Sequence, residues 1–140
     1  MSEPRLPPEP SRPLFAVLAA GLFLAALIAY WGILSLLLNR DVIDYPDAGP
    51  LLGPAMAIAG CAVAGLSTWR ARTWLSAIPA AGACFVVMIA VGAIGYWITR
   101  GPLSWLVSGA VHFAISPFVA GAAVLCGLVV AGAARLAPRR

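Results

Sequence analysis

The chain is 140 residues long, 62% hydrophobic and only 10% charged, with a mean hydropathy of +0.96. Soluble domains are about half apolar and a quarter charged, so this composition excludes an ordinary water-soluble fold and predicts lipid as the solvent for most of the chain. The net charge of +4 comes from nine cations, all arginine, with no basic cluster longer than Arg139-Arg140; that is too little for a nucleic-acid surface and suits a role in setting membrane topology.

Residues 1–13 hold Pro4, Pro7, Pro8, Pro10 and Pro13 among mixed charges, which predicts a disordered Pro-rich tail. The apolar run Leu14 to Leu38 follows. As a helix rising ~1.5 Å per residue it exceeds a hydrocarbon core of ~30 Å. It is also longer than the apolar core of a secretory signal and is followed by no convincing cleavage site, so it reads as an uncleaved span. Tyr30 and Trp31 suit the outer headgroup level. The segment from Asn39 to Pro50 sets Asp41, Asp44 and Asp47 against Arg40 and ends in Tyr45-Pro46-Asp47-Ala48-Gly49-Pro50, a turn-rich acidic loop with Asp47 as candidate N-cap.

The second predicted span, 51–69, is mostly Gly and Ala and gains little from transfer into lipid, so it needs neighbouring helices. Gly53, Ala57, Cys61 and Gly65 recur every four residues and predict a smooth stripe for close helix packing. Arg70 and Arg72, between Trp69 and Trp74, form a short connection of hairpin length. The third predicted span, 74–98, closes with Tyr96-Trp97-Ile98-Thr99-Arg100-Gly101-Pro102, where interfacial aromatics, a cation, a Gly cap and a Pro mark a helix end. The last apolar stretch, Leu103 to Leu136, would be ~51 Å long as one straight helix. One crossing does not need that length, so a break near Pro117 is expected. The predicted fourth span is 110–134, and Leu103 to Phe113 can lie at the outer interface. Residues 137–140 form a second short tail.

Orientation follows from the arginines. Arg5, Arg12, Arg70, Arg72, Arg135, Arg139 and Arg140 fall on one side and Arg40 and Arg100 on the other, which places both termini in the cytoplasm. An internal duplication is also readable: Ile28-Ala29-Tyr30-Trp31 parallels Ile94-Gly95-Tyr96-Trp97, and Gly49-Pro50-Leu51 parallels Gly101-Pro102-Leu103. General membrane grammar produces the same matches, so both origins stay open.

Candidate chemistry is sparse. Ile58-Ala59-Gly60-Cys61 has the form of a lipoprotein box, but it lies inside the second apolar span rather than after an N-terminal signal, which leaves it a coincidence of composition. Ser108, His112 and Ser116 share a helical face. Asp41, Asp44, Asp47, Arg100 and His112 together form a candidate outer polar patch; it reads either as a proton- or metal-sensitive site or as an interfacial His bonded to water and headgroups, the latter favoured. Cys61, Cys84 and Cys126 each sit in an apolar run and read as small packing residues rather than a soft-metal site. No Asp, Glu, Lys or Arg lies within a predicted span, which weakens an ion-coupled transporter, and the serines lack a Gly-x-Ser-x-Gly elbow.

The stretch from Asp41 to Met56, Asp41-Val42-Ile43-Asp44-Tyr45-Pro46-Asp47-Ala48-Gly49-Pro50-Leu51-Leu52-Gly53-Pro54-Ala55-Met56, set in a four-span chain whose only cation is arginine, resembles the small uncharacterised membrane proteins of high-GC actinobacteria. The resemblance implies a plasma-membrane location and no assigned activity, and it transfers no functional residues.

The sequence thus predicts an all-α integral membrane protein, an antiparallel four-helix bundle over 14–136. It is expected to be non-enzymatic, an accessory or structural component, with a subunit of a small-solute transporter or channel as the alternative. No catalytic residue, cofactor or metal is expected. The anticipated partners are the lipid bilayer and another membrane protein or further copies of the chain, and not nucleic acid.

Overall fold

A computed structural model describes residues 12–41 and 51–136. Among these residues the chain is helical, without strands, and runs α1 (Arg12–Leu38), α2 (Leu52–Arg70), a 3-10 turn (Trp74–Ser76), α3 (Ala77–Arg100), α4 (Ser104–Ala114) and α5 (Pro117–Leu136). Four helices are long and apolar enough to cross a membrane: α1, α2, the 3-10 turn continued into α3, and α5. The predicted tails before residue 12 and after residue 136, together with Asp44 and Asp47, lie outside the described residues.

Each helix end has a local cause. Pro13 falls in the first turn of α1, and Pro79 in that of α3, where a missing N–H costs no helical bond. At the end of α1, Asn39 adopts a left-handed φ of 48° and the Arg40 amide donates to the Ser35 carbonyl at 3.2 Å. This is the six-to-one closure of a Schellman stop, in which Asn is the usual substitute for Gly. The end of α2 is less formal: Ala71 turns extended and its N–H reaches Thr68 O at 3.3 Å. At the end of α3, Gly101 takes a φ of 83° while its N–H still bonds Trp97 O at 2.8 Å. Pro102 then prevents continuation.

The last apolar stretch departs from the predicted crossing at 110–134. The chain makes a separate eleven-residue helix, α4, turns through Ile115 and Ser116, and starts α5 at Pro117. The cause is a Ser-Pro pair rather than a kink. The residue before a proline is pushed away from helical geometry, Ser is a favoured N-cap, and Pro is preorganised for the first helical position. Ala120 N accordingly makes the first helical bond to Ser116 O, at 3.1 Å.

The interior is filled by residues from every helix: Phe23 and Leu27, Met56, Cys84 and Met88, Phe113, and Val119, Cys126 and Val130 are all inaccessible. Large apolar side chains also cover the outside of the long helices, among them Val17, Leu22, Ile58, Ile78, Val86, Val124 and Leu128. Small residues set the closest backbone approaches. A Cβ added at Gly65 would lie 3.4 Å from the Ala16 carbonyl, one at Gly60 would lie 2.8 Å from the Phe23 ring, and one at Gly127 would lie 3.2 Å from the Ala77 carbonyl. Leu52, at the start of α2, presses into the space over Gly95 near the end of α3.

The packing stripe on α2 is offset from the predicted one. The deepest line runs through Leu52, Met56, Gly60 and Ala64, joined by Ala57, while Gly53, Cys61 and Gly65 are half-buried on its flank. Small residues mark where backbones approach, as Gly65 does against α1, whereas the long side chains of Leu52 and Met56 define the core. The two lines are one residue apart.

Candidate functional site

The polar residues of interest collect where the end of α1 meets the α4–α5 turn. Two aromatic side chains tie these elements together. The Tyr30 hydroxyl donates to the Pro117 carbonyl at 2.7 Å, and the Trp31 indole N–H donates to the Phe118 carbonyl at 3.1 Å. Both acceptors lie in the first turn of α5, and Gly121 makes the approach possible, since a Cβ there would strike the Tyr30 hydroxyl and ring.

A second aromatic group fixes α4. Tyr96 from α3 stacks on His112 with centroids 6.1 Å apart and 27° between planes. Phe113 meets Tyr96 at 5.1 Å and stands edge-on to His112 at 5.3 Å. Phe113 lies over Gly92, where any Cβ would run into its ring. On the α4 side, Gly109 comes so close to α3 that a Cβ would sit 3.1 Å from Ala93 Cα.

These ties frame a cavity of about 140 Å³ lined by Leu38, Arg40, Asp41, His112, Ile115, Ser116, Pro117 and Phe118. The predicted patch is therefore divided. Asp41 and His112 share the cavity; Arg100 does not line it, and instead places its guanidinium 4.5 Å above the Trp105 ring. Ser108 is exposed on α4, and Ser116, beyond the helix break, is buried at 9% exposure and opens on the cavity. Arg40 was not singled out by the sequence as a site residue, and Ser116 was read only as sharing one helical face with Ser108 and His112, a face that the break after Ala114 interrupts. Asn39 as a helix-stopping residue and the Ser-Pro helix start were the signals that could have brought them together.

The sulfur atoms are packed deep. Cys84 and Cys126 are inaccessible and Cys61 is half-buried; all three are free thiols. Cys126 Sγ lies 3.7 Å from Ala80 O, and Cys84 Sγ lies 3.9 Å from Met88 Sδ. Among the described residues no group of three or more His, Cys, Asp or Glu side chains is placed to hold a metal ion.

Helices, span lengths and cavity together define a helical protein with four helices suited by length and composition to crossing a membrane. The chain belongs to a family of unknown function, DUF6121, which matches residues 11–140. No curated protein and no solved structure matches it.

Proposed function

We propose that the chain is a multi-pass plasma-membrane protein, an antiparallel four-helix bundle with cytoplasmic termini, that serves as a non-enzymatic accessory or structural component. The observation that carries this reading is the packing. The interior is closed by Phe23, Leu27, Met56, Cys84, Met88 and Cys126, while the polar cavity is confined to one end. Such a protein offers its surroundings a lipid-facing surface and one polar end, with its centre filled by apolar side chains among the described residues. Insertion is supported by the apolar side chains outside the long helices, which lipid accepts and water does not. Alternation of the helices is supported by the contacts of Gly65 with Ala16, Leu52 with Gly95, Tyr30 with Pro117 and Gly127 with Ala77. The arginine distribution supports the orientation.

A photo-crosslinking residue placed at Asp41, in native membranes, tests the reading. Capture of a distinct membrane protein is the expected outcome. Capture of only further copies, in a defined oligomer that conducts solute across liposomes, would replace it with the transporter or channel subunit.

A further inference from the structure

We propose that Cys84, Cys126 and Met88 form a binding site for a soft monovalent metal ion, copper(I), between α3 and α5. Such a site goes beyond the accessory role and does not rest on it.

Sulfur atoms from two helices meet in the core. Cys84 and Met88 are one turn apart on the same face of α3, and Cys84 Sγ lies 3.9 Å from Met88 Sδ. Cys126 reaches them from α5: its Sγ lies 3.7 Å from the Ala80 carbonyl, the helical acceptor one turn before Cys84. A helical side chain leans toward the N-terminus of its helix, so Cys84 leans back toward that carbonyl, and the two thiols come within reach of each other for an S–H···S bond. Glycines permit the approach. A Cβ added at Gly127 would sit 3.2 Å from both the Ala77 carbonyl and the Ala81 side chain, and one added at Gly60, on the α2 side, would fall 3.8 Å from Cys84 Sγ. Cys84, Met88 and Cys126 are all inaccessible.

Packing alone accounts for a single buried thiol, which behaves as a small hydrophobe. Two thiols that meet across a helix contact, with a thioether beside one of them, make a ligand set. Thiolate and thioether sulfur select soft ions such as copper(I), whereas structural zinc(II) takes four ligands, mostly Cys and His. Among the described residues no further Cys, His, Asp or Glu joins the pair, and Cys61 stands half-buried on the flank of α2, so the set suits an ion of low coordination number. No large void is required, because two sulfurs held on one ion at ~2.3 Å each stand about 4 Å apart, the spacing of sulfur atoms already in contact. Binding exchanges one thiol proton, which leaves to solvent, for the ion. Copper(I) with one thiolate is neutral, as a core that includes Phe23, Leu27 and Met56 demands, and the second thiol and the thioether complete the set as uncharged donors.

The test uses the full-length protein, kept reduced in non-ionic detergent, with copper(I) or zinc(II) as the probe and retention against glutathione read by native mass spectrometry. One copper(I) per chain should be held and zinc(II) lost. Cys84→Ala and Cys126→Ala should each weaken retention about a hundredfold or more, beyond the usual effect of losing an outer-shell partner. Met88→Leu, which nearly keeps the side-chain volume, should weaken it about tenfold, and Cys61→Ala should leave it unchanged; circular dichroism and thermal unfolding establish that each variant is folded. X-ray absorption of the copper-loaded parent protein needs no variant and should show three sulfur neighbours. Failure of the parent protein to hold copper(I), equal retention of zinc(II), or a nitrogen or oxygen neighbour at the metal would overturn the proposal. So would retention by folded Cys84→Ala/Cys126→Ala, or loss in folded Cys61→Ala. Because this readout requires no protein partner, a failed crosslinking experiment and a failed metal experiment are distinguishable.

Discussion

Gly92→Ala is expected to destabilise the protein by about 1 to 3 kcal/mol, the cost of overfilling a packed core. On helix propensity alone the change should stabilise, by about 1 kcal/mol. The sign is decided by Phe113, whose ring occupies the space a Cβ needs and is itself held between Tyr96 and His112 with 1% exposure. A flexible side chain could yield; a buried ring with two aromatic neighbours has nowhere to go unless α4 lifts from α3. Glycines with open space around them supply the control, since an added Cβ at Gly21 or Gly82 meets nothing within 4 Å. Thermal unfolding in detergent should place Gly92→Ala well below the parent, with Gly21→Ala and Gly82→Ala at or above it. Shortening the obstructing side chain in Gly92→Ala/Phe113→Leu should return part of the loss, which a double-mutant cycle measures.

Gly121→Ala is the second large effect, and here the collision is with the Tyr30 hydroxyl and ring. Tyr30 must swing away, losing its bond to the Pro117 carbonyl together with the packing of α1 on α5. The expected cost is about 2 kcal/mol, combining roughly 1 kcal/mol for a hydrogen bond with a similar amount for repacking. Tyr30→Phe removes the hydrogen bond alone and should cost about 1 kcal/mol. In a Tyr30→Ala background the Gly121→Ala change should cost almost nothing, because the space is already vacant. Additive losses in that cycle would show that Tyr30 and Gly121 are not coupled. Trp31 retains its own bond to Phe118 O, so these variants should weaken the cavity walls without releasing α1.

The four long helices were legible because each is a long apolar run set off by polar punctuation, the pattern that length and composition suited to crossing a membrane require. Gly101-Pro102 and the arginine-bearing turn between Trp69 and Trp74 mark their ends as the structure has them. Pro117 was legible as a break, but its consequence depended on Ser116, which converts a kink into a stop and a fresh helix start. Helix faces were harder to read. On α2 the repeating small residues pointed to a face one residue away from the most buried line, because Leu52 and Met56 reach inward where the small residues cannot.

Of the candidate patch, Asp41 and His112 were readable as ionisable groups flanking predicted spans, and the structure brings both to one cavity. Arg100 was readable only as a charge at a helix end; its place over Trp105 depends on how α4 folds back after Gly101. Arg40 and Ser116 line one cavity because the Asn39 turn and the Ser-Pro start, far apart in sequence, converge there. The Tyr30 contact with Pro117 spans 87 residues of sequence, and no local pattern encodes it. The repeated Tyr-Trp pairs illustrate the same limit: Tyr30 bonds the α5 backbone, whereas Tyr96 is buried against Phe113 and His112.

The most direct test of the membrane account is sidedness. In a background with Cys61, Cys84 and Cys126 replaced by alanine, single cysteines are introduced as Ser2→Cys or Asp44→Cys, and intact cells are treated with a membrane-impermeant maleimide. With cytoplasmic termini, Asp44→Cys is labelled in intact cells and Ser2→Cys only after the membrane is opened. Labelling of Ser2→Cys from outside, or equal labelling of both positions, would contradict it.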